Sequence, residues 1–551
     1  MTAALVAKDH GAEVILIEKG AFYGGTTAMS GGGIWVPNNH LMKKAGLQDS
    51  PEEVLTYLRA ITDGKVSEER LRAYINAGPE MVRYLEVHSH VRFQVVPGYS
   101  DYYPSIPGSK PGGGRTLEAM PFNARNLGRM RGQLRPLPRQ ERIFGRMMAT
   151  IYDVHLMMDS SLRGRLKAIK LFICYFFNPA RSLAKTDTRL TFGNAIIGRL
   201  RLSLGDRNIP LWLKVRAKKL IVDDGHVIGL EAERQGETIL IRAQKGVILA
   251  AGGFAHNKAM RQKYQRQPVS DAWTVACPEQ TGDAIQMGLE IGAAVEFMDD
   301  AWWMPTALAP GEDMPMVIVP ERSLPGSIMV NAMGKRFTNE AAPYIDVVKE
   351  QYASHSQGCG AIPAYLIMDK RFRSKYPTSP MLPMITPRKY IRSGYLKMAN
   401  TIEELAEQCG IDPQGLVAEI KKFNHYATSG RDLDFNRGDS AIDCYYGDPS
   451  VKPNPCLGPL DRPPYYAIEL WPGDLDTKGG LNTDAYARVL HHDSSPIDGL
   501  YATGNCTASV MANSYAGGGA TIGPSMVFGF IAALHACDKK QAESLVRIPS
   551  I

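Results

Sequence analysis

Glycine-rich runs at the ends of apolar segments hold the positions of this chain best suited to chemistry. The run Tyr23-Gly24-Gly25-Thr26-Thr27-Ala28-Met29-Ser30-Gly31-Gly32-Gly33 sets glycines among the hydroxyls of Thr26, Thr27 and Ser30. Bare backbone N–H groups with short hydroxyls between them can wrap phosphates and flat ring edges, which larger side chains would hold away. Ahead of that run, residues 2–10 read as a helix with a small, packable face at Ala3, Ala4, Leu5 and Ala7. Gly11 ends it, residues 14–17 form a buried strand, and Glu18 closes the strand. Helix, glycine, apolar strand and terminal acid are the second half of a βαβ dinucleotide unit, in which the acid hydrogen-bonds a ribose hydroxyl. The first half, an apolar strand and G-x-G-x-x-G for the pyrophosphate, does not precede the helix. The expectation is a natural start upstream of Met1; the alternative is a chain that has lost its phosphate loop. An ordinary αβ pair would also account for this segment alone.

Further along, residues 219–222 and 227–230 flank Asp223-Asp224-Gly225, a hairpin with a D-G turn, and Leu220 is assigned to the cofactor side. A strand at 246–250 leads into Ala250, Ala251, Gly252 and Gly253, where backbone can pass close to a dinucleotide. Gly282 and Asp283 open a helix, and Gly504 and Asn505 follow another apolar run. Residues 516–524, with Gly519, Ala520 and Ile522, lead into an apolar helix at 525–535. A glycine-rich helix N-terminus there suits the electron-rich edge of a reduced flavin.

Each loop alone is a weak signal. In this order they resemble the FAD-binding family that includes fumarate reductase, L-aspartate oxidase and the 3-ketosteroid dehydrogenases, over nearly the whole chain. The resemblance implies FAD as cofactor. Fumarate reductases carry a histidine before a late M-G-G and an arginine in A-N-R-x-G-G. Here the corresponding stretches read Leu475-Asp476-Thr477-Lys478-Gly479-Gly480 and Ala512-Asn513-Ser514-Tyr515-Ala516-Gly517. A dicarboxylate would lack its bidentate arginine.

The run from Tyr515 to Pro524 is instead similar to the 3-ketosteroid Δ1-dehydrogenases. So are Asp101-Tyr102-Tyr103-Pro104 and the stretch from Pro325 through Asn339-Glu340 to Pro343-Tyr344. That resemblance implies an active site of Tyr102, Tyr344 and Tyr515 with the backbone N–H of Gly519. The implied reaction removes a C2 proton from a 3-ketosteroid and passes a C1 hydride to flavin. Tyr515 and Gly519 would stabilise the ketone oxygen as it becomes enolate-like. Tyr344 would be the base, with Tyr102 hydrogen-bonding it to lower an ordinary phenol pKa of about 10. Among 24 tyrosines, an arbitrary one is a core or rim residue, so the motif match is what singles these out. Trp302 and Trp303 suit either a cavity wall or plain core. Two other readings stay open: a flavin enzyme acting on another cyclic ketone or at the Δ4 position, and a flavin-free binding protein.

At 551 residues, 44% apolar and 22% charged, the chain is globular and long enough for two or three domains. The expected fold class is α/β: a Rossmann-like, N-terminally truncated FAD-binding domain at 1–297 and 472–551, with an inserted α+β substrate domain at 298–471. Helices are expected at 401–409 and 412–427. The net charge of +7 comes without nucleic-acid modules, so no nucleic-acid partner is expected. The eight cysteines form no CxxC pair and no metal-spaced cluster, so no metal is expected and a reducing cytoplasm fits. The N-terminus does not read as a signal peptide, and no run reaches the roughly 20 apolar residues of a membrane span.

An insertion at about 125–190 carries an apolar core at 168–177, broken only by Lys170. Around it stand Arg163, Arg165, Lys167, Arg181, Lys185 and Arg189. That pattern fits a helix in the headgroup region, on the inner face of the cell membrane through about 163–181, or a buried helix with solvated ends. The electron acceptor is not specified by any motif; a quinone-like molecule fits.

Overall fold

The helix Thr2–Asp9 buries Ala4, Leu5, Val6 and Ala7 against the C-terminal helix Ile522–Cys537. Its small residues let the two backbones approach closely. The computed structural model describes residues 1–158, 162–184 and 186–546. The strand Leu16–Glu18 follows and pairs in parallel with Leu211–Leu213, Glu18 opposite Leu213. A second parallel pair, Val247–Leu249 with Pro496–Ala502, leads into the turns at 250–253 and 503–506. Between the two pairs lies an antiparallel meander of Val215–Asp223, His226–Arg234 and Glu237–Arg242. Its first turn has φ of +47° at Asp224 and +75° at Gly225, as a two-residue hairpin with a right-handed twist requires. The third strand was not legible, because it exposes Thr238 and Leu240 and buries no residue fully.

A second sheet orders Gly33–Trp35, Gly113–Ala119 and Phe93–Pro97. It ties the first glycine run to the loop that carries Tyr99 and Tyr102. The long helix Glu68–His88 backs this region, with Tyr74 stacked at 6.3 Å on Phe528 of the C-terminal helix.

A six-stranded sheet runs Met316–Val317, Ala301–Ala307, Tyr465–Thr477, Ala364–Met368 and Ser327–Val330, with Lys397–Ala399 beside its long strand. Tyr465–Thr477 has 13 residues, enough for its first half to pair with Ala364–Met368 and its second with Ala301–Ala307. It thereby connects the outer layer to the loops around the cofactor turns. Helices Ile402–Cys409, begun by a Thr401/Glu404 capping box, and Pro413–Ser429, capped by Asp412, pack over one face through Leu405, Leu416 and Phe423. A buried ionic knot holds the segment before Tyr344: Arg336 reaches Glu340 and Asp432 at 2.7 Å each, and Arg437 reaches Glu340 at 3.2 Å.

The insertion forms the helix Leu162–Phe176. Most of its described apolar residues are not core: Leu166, Ile169, Ile173 and Phe176 are each more than half exposed and Phe177, just past its end, is 84% exposed, while Tyr175 is buried. The buried-helix alternative is therefore wrong. The basic fringe is also thinner than expected. Arg181 is buried and paired with Asp187 at 2.6 Å, and Arg189 is paired with Asp153 at 3.1 Å. Lys167 leans on Tyr152. Lys185 and the side chains of Arg163 and Arg165 lie outside the described residues. Among the described residues no helix is long and apolar enough to cross a membrane.

Candidate functional site

One cavity of about 2080 Å³ runs from the opening strand to the tyrosine loops. Pockets for one ligand are commonly about 300–1,000 Å³, so this cavity has room for two ligands end to end. At its first end the glycine run lines it from Gly24 to Gly33, through Gly25, Thr26, Thr27, Ser30, Gly31 and Gly32, with only Ala28 turned away. Glu18, Ala250, Ala251, Gly252, Asp283, Gly504, Asn505 and Ile522 line it too.

Leu220, Gly253, Gly282 and Ala520 do not. Leu220 is buried in the core with Val227, Val247 and Leu500, and Val215 and Ala217 take the cavity side of its strand. Gly253 packs behind the wall, where its N–H reaches Asp476 and a Cβ would meet the Thr477 hydroxyl at 2.1 Å. Gly282 turns the chain into the helix Asp283–Glu290 against Met260. Ala520 is fully buried beneath the cavity floor.

The wall fits a dinucleotide. Burial, with Glu279 nearby, raises the Glu18 carboxyl above its ordinary value; the Gly20 N–H donates to it at 2.7 Å. For Asp283, burial is outweighed by hydrogen bonds from Lys19 and Thr281, which hold its carboxyl below the usual range. Several wall residues went unnoticed in the sequence. Glu279 pairs with Arg135 at 2.6 Å and accepts from the Cys277 thiol. Thr26 Oγ1 accepts from the Cys277 N–H at 3.1 Å and Gln280 at 3.2 Å. Gly193 braces the glycine run from behind: its N–H donates to Ser30, and a Cβ would lie 1.6 Å from the Thr27 carbonyl oxygen.

At the far end, loops from three parts of the chain bring Tyr102, Tyr344 and Tyr515 together. The Tyr102 ring lies 5.6 Å from Tyr344 and 5.2 Å from Tyr515, and those two are 5.4 Å apart. All three pairs meet edge to face, which brings three rings into one small volume. The Tyr102 loop is held by Asp101, which accepts from Trp35, Arg115 and the Lys110 N–H at 2.7–2.9 Å. Arg115 also forks onto Asp49. Loops 102 and 515 share one acceptor: the Ala516 carbonyl takes the Tyr102 N–H and the Tyr57 hydroxyl.

The Tyr515 phenol accepts from Thr521 Oγ1 at 3.1 Å. Burial raises it, while hydrogen bonds from Thr521, Tyr344 and the Gly519 backbone work the other way. Gly519 has φ of +98°, and a Cβ there would meet the Gly33 backbone at 2.4 Å. Only glycine fits. Behind Tyr515 lies Trp302, at 4.8 Å between rings, donating to Asn505 and covered by the Lys478 ammonium at 4.4 Å. Trp302 is thus a backing for Tyr515, and Trp303 is core, donating to Asp300 at 2.7 Å.

Tyr344 is the first residue of the helix Tyr344–Ser354. Burial drives its phenol well above 10, and the hydrogen bond from Tyr102 opposes that rise. Two more phenols extend the cluster: Tyr99 lies 3.2 Å from Tyr102 and 2.8 Å from Tyr446, oxygen to oxygen. Neither was picked out of the sequence. The Tyr445-Tyr446 doublet and the spacing of Tyr99 from Tyr102 were the only signals.

A glycine-lined dinucleotide cradle opening onto a buried cluster of phenols, on this α/β frame, fits an FAD-dependent oxidoreductase. The FAD binding domain family matches residues 1–522. The chain is 44% identical to the 3-oxosteroid 1-dehydrogenase of Mycobacterium tuberculosis, over 98% of this chain and 96% of that protein. It is 42% identical to the enzyme of that name from Mycolicibacterium smegmatis, over 97% and 94%. The crystal structure of 3-ketosteroid delta1-dehydrogenase from Sterolibacterium denitrificans, in complex with 1,4-androstadiene-3,17-dione, superimposes with a TM-score of 0.95 at 41% identity, covering 98% of this chain and 97% of that one. The chain belongs to the 3-oxosteroid 1-dehydrogenase family.

Proposed function

We propose that this protein desaturates the C1–C2 bond of a 3-ketosteroid, with FAD as cofactor. The carrying observation is the cluster of Tyr102, Tyr344, Tyr515 and Gly519 at the end of the cavity opposite Glu18. The Tyr515 phenol and the Gly519 N–H converge, and together they can donate to a C3 ketone oxygen. As negative charge grows on that oxygen, two preorganised donors in a dry site lower the cost of acidifying C2. Tyr344 then takes the C2 proton, and Tyr102 holds the oxygen that receives it. The residues from Glu18 to Gly33, with Ala250 to Gly252, Gly504 and Asn505, would hold the cofactor. Bound FAD supplies the acceptor for the hydride that leaves C1. Apolar walls at Phe144, Phe172, Val317 and Val319 suit a flat hydrocarbon rather than a dicarboxylate.

Anaerobic addition of 4-androstene-3,17-dione to the FAD-loaded protein should bleach the flavin and yield the 1,4-diene. Unbleached flavin would reject this reading. Bleaching by 5α-androstane-3,17-dione alone, with the 4-ene as product, would favour the Δ4 alternative. The reoxidant is assigned to the quinone class, and the protein to the cytoplasmic face of the membrane, because the exposed apolar helix Leu162–Phe176 borders the cavity through Phe172.

A further inference from the structure

Every phenol of the tyrosine cluster is pushed up by burial. A base that must lose its proton in such a place needs a compensating positive charge, because a buried anion without one is very costly. Among the described residues no lysine or arginine hydrogen-bonds to these phenols. Arg322 is a buried cation beside this cluster. Its side chain is 2% exposed, and among the described residues it has no carboxylate within ion-pair distance. Its Nη1 donates to two carbonyls, those of Glu340 and Ala342, the latter at 2.7 Å. Its Nε has no partner at all. Those carbonyls sit on the turn that delivers Pro343 and Tyr344.

We propose that Arg322 is the cation that holds the negative charge of Tyr344 as base, acting through the hydrogen-bonded phenols of Tyr446, Tyr99 and Tyr102. The charged and titratable groups facing Arg322 are Tyr446, Tyr102, Asp443 and Tyr344. Asp443 is already committed: its carboxylate accepts from Asn339 and from the Gly438 N–H. Tyr344 faces Tyr515, Tyr99 and Tyr102, and on its own helix Asp346 takes the Tyr103 hydroxyl while Lys349 binds the Asn513 carbonyl. Burial pulls Arg322 down to about 10, so it stays charged at neutral pH. The phenols form a chain, with Tyr446 and Tyr99 oxygens 2.8 Å apart, Tyr99 and Tyr102 oxygens 3.2 Å apart, and the Tyr102 ring 5.6 Å from Tyr344. With Tyr344 anionic, Tyr102 donates to it, and Tyr99 and Tyr446 can each donate along the chain. Each link moves negative charge toward the cation. The positive end of the helix Tyr344–Ser354 adds in the same direction.

This inference rests on Tyr344 being the base of the proposed reaction. The test measures the pH dependence of anaerobic flavin reduction by 4-androstene-3,17-dione in FAD-loaded parent, Arg322→Gln, Arg322→Lys and Tyr446→Phe. If the parent is not bleached, the functional reading fails, and ultraviolet titration of tyrosinate in parent and Arg322→Gln still decides the electrostatic one. The expected result is that Arg322→Gln moves the alkaline rise of the rate, or of tyrosinate, up by about 1–3 pH units. Below that limb the rate falls about tenfold for each pH unit moved. Arg322→Lys should restore most of the position, and Tyr446→Phe should move it upward by less. A variant that is slower at every pH but keeps its limb in place would make Arg322 structural and overturn the proposal. Should Arg322→Gln fail to hold FAD, Tyr446→Phe leaves the carbonyl contacts intact, and an unmoved limb there overturns the proposal equally.

Discussion

The rings of Tyr344 and Tyr515 stand at 71° with their centres 5.4 Å apart, although one begins a helix and the other ends a loop before a glycine run. In the proposed reaction one takes a proton and the other holds a growing oxyanion. A substrate carbon and the oxygen two bonds away can meet both at once.

Tyr344→Phe should keep the FAD spectrum and lose flavin reduction by about 10²–10⁴-fold, the range for removing a general base. Tyr515→Phe should cost about 10²–10³-fold, as for one oxyanion donor. Stopped-flow reduction under anaerobic conditions measures both. A Tyr344→Phe protein that still reduces its flavin at the parent rate would displace the base assignment.

Gly519→Ala should be worse than Tyr515→Phe. The new Cβ meets the Gly33 backbone at 2.4 Å, and φ is +98°, so the loop must shift against the glycine run that lines the other end of the cavity. We expect loss of turnover together with weaker FAD retention, and destabilisation of more than about 1 kcal/mol. Thermal melts with and without added FAD give both numbers.

Lys478 gives a pH signature of stability. Burial pushes its ammonium down to about 7, against the attraction of Asp300 at 3.8 Å. Between about 7 and the ordinary value of 10.5 the unfolded chain binds a proton that the folded one has released. Stability from this group therefore rises with pH across that window, by at most about 1.4 kcal/mol per pH unit. Lys478→Met removes the slope, so its melting temperature relative to the parent should fall as pH rises from 7 to 10. Parallel pH curves for the two proteins would contradict the buried-lysine account.

The helix Leu162–Phe176 should govern lipid association. Replacing Ile169, Ile173 and Phe177 together by Ser removes exposed apolar surface without touching the Arg181–Asp187 pair. Flotation with anionic vesicles should drop severalfold, while activity toward a dispersed steroid stays near the parent's. Equal flotation of parent and variant would remove the membrane role.

Much of the cofactor end was legible because its signal is local. A backbone that must approach a ligand closely needs glycine, and glycine shows in the sequence whatever the rest of the chain does. Gly24, Gly25, Gly31, Gly32, Gly33, Gly252 and Gly504 all reach the cavity for that reason. Leu220 misled because the strand bulges between Ala217 and Lys219, which resets the alternation of its faces. Gly253 and Gly282 misled because they are glycines for packing and for a helix start, which look the same in one dimension. The apolar core of the insertion could be read as buried or exposed from its composition alone.

By itself the sequence determined the class of cofactor, through the order of its glycine loops, and the three tyrosines, through motifs matching a known family. Only the tertiary structure decided what surrounds those tyrosines. Tyr99, Tyr446 and Arg322 come from separate loops, and Trp302 with Lys478 stands behind Tyr515. The physical reason is that a phenol's acidity is set by burial, nearby charge and hydrogen bonds, and these depend on neighbours far away in the chain. Spacing can nominate a base, but only the packed interior supplies the environment that lets it act as one.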